Sequence, residues 1–447
     1  MSILYVQKSV VRVVLSVVCL GIGALSRPSA AAEPAYTLKV DTDRDSALYE
    51  VDQTATFLIT VARGDEEVHA GSVSYSVDDF LQSGKAAGLP AGTSKLTEQP
   101  VRVTVTGRRP EFLRCQVTFQ PPSGKALRAQ AGAGFSPEKI GLSLPVPDDF
   151  DTFWDAQKQK LASLSPAPEL TPVEQPDQSL TCFDVQVQCL GGMPVSGYFA
   201  RPATAEPRSL PIILWVHGAG VRSSSLGNAV QGARSGFLSM DINAHGIPNG
   251  RPAAFYTGLS SGKLSGYRHA GRNSRDSVYF RGMYLRLVRA IDFLTAQPEW
   301  NGDHVVVVGH SQGGGQSLVA GGLDSRVTFI APGVPAICDH SGQAAGRVNG
   351  WPKLVPATAD GKPDAQILQA ARYVDAVNFA TRCRAEAIMS VGFIDAVCPP
   401  SSCYAAYNAI QGSKSVLNEP HMGHAAPAHI RKAFFERILQ HVKQPTR

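Results

Sequence analysis

The clearest chemistry in the sequence lies in Gly309-His310-Ser311-Gln312-Gly313. Four valines, Val305 to Val308, precede it, and Gly314-Gly315 and a helical stretch from Gln316 to Leu323 follow. A buried strand, a Gly-x-Ser-x-Gly turn and a helix in that order form a nucleophile elbow. The turn is too sharp for side chains at its flanks, and it sets the Ser311 hydroxyl at a helix N-terminus, where negative charge is favoured. A serine hydroxyl is a poor nucleophile without a base, and the base needs an acid to orient it. With the elbow leading, the acid is expected after a late strand and the base before the last helix. Ser390-Val391-Gly392-Phe393-Ile394-Asp395 is an apolar strand ending in a carboxylate, which makes Asp395 the acid; Asp339, Asp360, Asp364 and Asp375 are less well placed. Three histidines compete as base. His429 falls within the closing helix, and His424, after Gly423, is preferred to His421. An oxyanion hole requires backbone N–H donors. Gln312, directly after the nucleophile, and Ala219, in the loop His217-Gly218-Ala219-Gly220, are the expected donors, with His217 ordering the loop.

These residues need a scaffold. Pro211–His217 reads as a continuous apolar strand of the kind buried on both faces of a parallel sheet. Cys182–Cys189 and Val195–Ala200 form a hairpin around Gly191-Gly192, and His304–Gly309 and Ala387–Gly392 are further strands. Helical spacing of apolar residues marks Phe150–Leu164, Val278–Gln297 and Pro427–Val442. Strands alternating with helices predict an α/β domain over residues 140–447 with a mainly parallel sheet. Residues 36–135 follow other rules. Tyr36–Val40, Thr54–Ala62, Ser72–Val77, Val101–Thr106, Phe112–Phe119 and Leu127–Ala131 read as short strands separated by turns. They suggest a small all-β domain, an immunoglobulin-like sandwich, joined through Gly134–Pro147.

The α/β region resembles the acetyl xylan esterase/cephalosporin C deacetylase family, carbohydrate esterase family seven of the α/β-hydrolase superfamily. The resemblance runs in order through Asp151–Trp154, Tyr279–Ala290, Gly309–Gly315, Tyr373–Phe379, Ser390–Asp395 and Cys398–Asn408. It implies Ser311, Asp395 and His424 as the triad and Ala219 and Gln312 as oxyanion donors. It also implies an α/β-hydrolase fold, hydrolysis of acetyl esters on small sugars and oligosaccharides such as those of xylan, no metal or organic cofactor, and a tendency to form homo-oligomers. Two departures stand out. Ala219 occupies a position where the family usually has tyrosine, which leaves room for other esters, lactones or peptides. The family's Arg-Gly-Gln motif is replaced by Asp241-Ile242-Asn243-Ala244-His245-Gly246, with His245 a candidate for the missing arginine's role.

Composition bounds the rest. The 447 residues are 43% hydrophobic and 18% charged, a globular balance that excludes wholly disordered or fibrous chains. Lys8 and Arg12, the apolar run Val13–Leu25 and the small residues Ser29 to Ala32 read as a signal peptide over 1–32. The apolar run is shorter than the roughly 20 residues of a membrane span. Its removal takes Lys8, Arg12 and Arg27 and no acid, so 39 basic side chains face 37 acidic ones, a net +2. A nucleic-acid partner is therefore not expected, and a secreted or periplasmic location is, with no membrane span after cleavage. Cys19 leaves with the signal, and seven cysteines remain. Cys182 and Cys189 lie too far apart along one strand to bond, whereas Cys398 with Cys403 and Cys338 with Cys383 are candidate pairs.

Overall fold

The computed structural model describes residues 35–81, 88–175 and 177–444. The expected signal segment, 1–32, lies outside the described residues.

The central sheet has nine strands: β1 (Glu169–Pro172), β2 (Leu180–Val187), β3 (Val195–Pro202), β4 (Leu210–Val216), β5 (Leu238–Ile242), β6 (Trp300–His310), β7 (Phe329–Gly333), β8 (Glu386–Gly392) and β9 (Lys414–Glu419). Their spatial order is β1-β2-β3-β5-β4-β6-β7-β8-β9. β1, β2, β3 and β5 pair antiparallel in succession, and every pairing from β5 onward is parallel. The apolar runs are explained by burial on both sheet faces. In β6, Val305 and Val307 join the larger core, while Val306 and Val308 face the opposite one; Ile212 and Ile213 of β4 divide the same way. Burying one such side chain stabilises by roughly 1.5–3 kcal/mol.

The first face is covered by α1 (Phe150–Ala162), α3 (Tyr279–Thr295), α4 (Gln312–Leu323) and α5 (Pro400–Ala409). The second is covered by the closing helix α6 (Ala428–His441), through Ile430, Phe434 and Ile438, and α2 (Leu226–Arg234) lies against β3 and β5 through Ala229 and Ala233. Among the described residues, no helix is long and apolar enough to cross a membrane.

Residues 36–135 form two further, antiparallel-rich sheets. One contains Tyr36–Thr42, Thr54–Arg63, Glu66–Glu67 and Val101–Thr106; the other contains Leu48–Tyr49, Ser72–Asp78, Ala91–Lys95, Glu111–Phe119 and Leu127–Phe135. Alternating residues such as Phe57, Ile59, Val103, Cys115 and Val117 meet in a core between them. This region is not loosely tethered. The described residues from Tyr36 onward form one compact unit, and Ala47, Phe80 and Phe112 belong to the core that runs under the central sheet. The stretch expected as a joint starts later, because the strand Leu127–Phe135 runs four residues past its expected end.

All seven cysteines among the described residues are buried and none is bonded to another. The candidate pairs do not form. Cys403 sits on α5, where its thiol faces the carbonyls of Cys398 and Pro335, and the Cys338 thiol faces the Ala336 carbonyl. Cys383 packs instead against Gly321 of α4.

Candidate active site

The backbone turns sharply between the end of β6 and the start of α4. Ser311 has φ 59° and ψ −124°, a conformation that costs a residue with a side chain about 1–3 kcal/mol. It is held by three backbone hydrogen bonds: Ser311 N donates to Gly333 O (2.9 Å), and Ser311 O accepts from Ala336 N (2.9 Å) and Gly315 N (3.1 Å). The flanking glycines are obligatory on distance. A Cβ on Gly309 would lie 2.3 Å from Val216 O, and one on Gly313 would lie 2.1 Å from the same oxygen.

The three residues expected as a triad converge. His424 Nε2 lies 2.9 Å from Ser311 Oγ, and His424 Nδ1 lies 2.8 Å from Asp395 Oδ2. Asp395 is fully buried, and its other oxygen accepts from Val397 N (2.8 Å) and Cys398 N (2.9 Å). Its carboxylate is thereby fixed in orientation, and Nδ1 must carry the ring proton, which leaves Nε2 free to take a proton from serine. Gly423 has open space where a Cβ would stand and is absent from the left-handed residues. No steric demand for glycine is thus visible there, and the His424 ring is held by its bond to Asp395.

The rival residues serve elsewhere. His429 is exposed and bonds Glu419 (2.8 Å), and His421 reaches Val40 O (2.9 Å). Asp339 pairs with Arg347, Asp364 caps the short helix Ala365–Ala371, Asp375 accepts from the Asp339 and His340 amides, and Asp360 bonds Thr358.

The loop bearing Ala219 is tied by its carbonyls. Arg222 donates to Ala219 O (2.9 Å) and Gly218 O (3.1 Å), and His245 bonds Gly220 O (3.1 Å). Gln312 opens α4, where N–H groups have no acceptor within the helix. Its side-chain oxygen accepts from Tyr267 OH (2.7 Å). Burial pushes His245 down to about 4 and His217 down to about 3, so both rings are neutral at neutral pH. In neutral His245, Nε2 donates to Gly220 O and Nδ1 accepts from Tyr279 OH (2.7 Å).

Asp395, Cys398 and His424 bring ligand-type atoms within 4.8 Å of one another. Two of those atoms are already bonded to each other, and burial, with Cys403 and Asp395 nearby, pushes the Cys398 thiol well above its ordinary range. These atoms suit proton transfer better than metal binding.

The sequence profile of the acetyl xylan esterase family (AXE1) matches residues 142–441. The chain belongs to the acetyl xylan esterase family. Membership makes it a carboxylic ester hydrolase. The acetyl esterase Axe7A of Xylanibacter ruminicola is 30% identical over 340 residues, 74% of this chain and 76% of that protein. Among solved structures, the acetyl xylan esterase from Paenibacillus sp. R4 is 27% identical with a TM-score of 0.59, covering 68% of this chain and 98% of its own. Acetyl xylan esterase 1 from Thermoanaerobacterium sp. JW/SL YS485 is alike in fold at 24% identity and a TM-score of 0.59, covering 68% and 96%. The mixed α/β architecture is thus that of α/β-hydrolase-type esterases.

Within this acetyl xylan esterase family member, sequence reasoning missed Arg222, Tyr267 and the contact role of Tyr279. Tyr267 reaches Gln312, and Tyr279 reaches His245, only through the fold, while Arg222 lies three residues after Ala219 but belongs to no recognisable motif. His245 was legible, through the stretch where the family's arginine motif is absent.

Proposed function

We propose that the chain is a secreted or periplasmic serine esterase that removes acetyl groups from acetylated carbohydrates, xylan or xylo-oligosaccharides. What carries this reading is the Ser311–His424–Asp395 chain of hydrogen bonds, 2.9 and 2.8 Å, at a backbone turn of elbow geometry. In the first step, Ser311 Oγ attacks the acetyl carbonyl while His424 Nε2 takes its proton. The Ala219 and Gln312 N–H groups stabilise the tetrahedral oxyanion. His424 then gives the proton to the departing sugar oxygen as the C–O bond breaks, leaving acetyl on Ser311. A water molecule, deprotonated by His424, attacks this ester; acetate leaves and the proton returns to Ser311. Asp395 keeps the imidazole in the required tautomer and stabilises its cation. No metal or organic cofactor enters these steps.

The signal segment 1–32 supports export, residues 36–135 are proposed as an immunoglobulin-like accessory sandwich before the hydrolase domain 140–447, and assembly into a homo-oligomer follows from the family resemblance. The reading is tested by measuring acetate released from acetylated xylo-oligosaccharides, other acetylated sugars and cephalosporin C. Acetate from the xylo-oligosaccharides is expected, and none from any of the panel would refute it. Ala219, where the family has tyrosine, favours a second reading with broader substrates, esters of longer acids, lactones or peptides. An acyl-length series of nitrophenyl esters separates the two, because a sharp preference for acetate excludes the second.

A further inference from the structure

Residues 36–135 lie outside the family match at 142–441. They nevertheless touch the two segments that carry Asp395 and His424. Phe112 packs edge-on against Phe393 at 4.9 Å between ring centres and against Tyr404 of α5 at 5.3 Å. Phe112 and Phe393 are both buried. Gly132 N donates to Pro420 O (2.9 Å). A Cβ at Gly132 would lie 2.5 Å from Phe393 O and 2.6 Å from Phe393 Cβ, so only glycine lets the strand Leu127–Phe135 approach so closely. The two touched segments are also bonded to each other: Phe393 N donates to Glu419 O (3.0 Å) and Ile394 N to Met422 O (3.2 Å). A single strand of the N-terminal region thus contacts the residue two before the acid and the residue four before the base. His421, three before the base, meets Val40 O and Asp41.

We propose that residues 36–135 are a positioning element of the catalytic centre, in which Phe112 and Gly132 hold the Phe393–Asp395 and Pro420–His424 segments at the separation the carboxylate–imidazole bond requires. The proposal rests on the assignment of Asp395 and His424 as acid and base. It gives the N-terminal sheets a part in turnover, exerted through the protein rather than through contact with substrate.

The test uses the full chain, an acetyl nitrophenyl ester, and the variants Phe112→Ala, Phe112→Leu, Gly132→Ala, Val103→Ala and Asp395→Asn. Val103 is buried in the core between the two N-terminal sheets, so its truncation weakens that region without trimming the contact. Phe112→Ala and Gly132→Ala are expected to lower kcat roughly ten- to hundredfold with KM changed less than about twofold. Phe112→Leu should recover most of kcat, and Val103→Ala should lower Tm while keeping kcat near that of the parent. If Phe112 acts through the acid, adding Phe112→Ala to Asp395→Asn should cost far less than it does alone. Full additivity in that cycle, an unchanged kcat in Phe112→Ala and Gly132→Ala, or an equal loss of kcat in Val103→Ala would overturn the proposal. An active Asp395→Asn enzyme would instead overturn the acid assignment beneath it.

Discussion

The two sides of the proposed active site are built by different means. The serine side is local. Fifteen or so consecutive residues of β6, the elbow and α4 contain the strand, the strained turn, both obligatory glycines and one of the proposed oxyanion donors. The acid–base side is assembled from afar. Asp395 and His424 are 29 positions apart, follow different strands, and are held by contacts reaching back to Phe112 and Gly132. A local site is as robust as its own turn. An assembled one depends on the rest of the chain being in place, so perturbations of the two sides should differ in kind.

The largest effect is expected on the serine side. Ser311→Ala should lower kcat by several orders of magnitude with no change in Tm beyond a degree or two; if most of the ester hydrolysis survives, the nucleophile lies elsewhere. On the acid–base side, Asp395→Asn should cost roughly 10³–10⁴ in kcat, since the amide favours the wrong imidazole tautomer. Gly313→Val probes the turn itself. Its Cβ would meet Val216 O at 2.1 Å, so it should lose activity and also destabilise the fold by about 2–4 kcal/mol in urea unfolding, unlike either side-chain variant. Native stability would mean that the turn can relax. His245→Gln, which loosens Gly220 O, should lower kcat roughly tenfold with little change in KM; a KM effect alone would move His245 from the oxyanion loop to substrate binding.

The smallest effect is on stability against pH. Burial pushes His340 down to about 4, and neither of its ring nitrogens meets a protein partner. An unfolded histidine takes its proton near 6.5, so on acidification the unfolded chain binds first. His340's contribution to stability is whole above about pH 6.5 and is lost as pH falls toward 4. Asp241, pushed up to about 7, and Asp375, pushed up to about 6, act in the opposite sense, so the parent curve is a difference of terms. His340→Leu removes one of them. Its Tm should fall less between pH 7 and 5 than the parent's, and a parallel fall would show that His340 does not titrate on unfolding.

The same division explains what could be read from sequence. The serine, its glycines and the helix were visible because short-range sterics dictate them. The helix starts at Gln312 rather than Gln316, since three glycines weaken its signature while burial sustains it. Asp395 and His424, whose side chains meet, were picked out through chain order and the family resemblance, but the parts that hold them in place were not visible. The strands β5, β7 and β9 went unread for physical reasons. Leu238–Ile242 carries the buried polar pair Ser239 and Asp241, Phe329–Gly333 ends in Pro-Gly and resembles a turn, and Lys414–Glu419 is an edge strand without apolar alternation. The strands of residues 36–135 were read from their alternation, yet nothing in that alternation showed that one of them would abut Phe393.

The buried cysteines have a consequence for how the molecule is made. Burial pushes the Cys115 thiol up to about 12 and Cys383 up to about 11, and raises the other five as well. Only thiolates attack disulfides, and such thiols supply almost none at neutral pH. The finished fold therefore neither needs an oxidant to lock it nor offers a handle by which one could scramble it. Once the chain is folded, its storage and assay should be indifferent to mild oxidant or reductant, whereas the unfolded chain, with its thiols exposed, should not be.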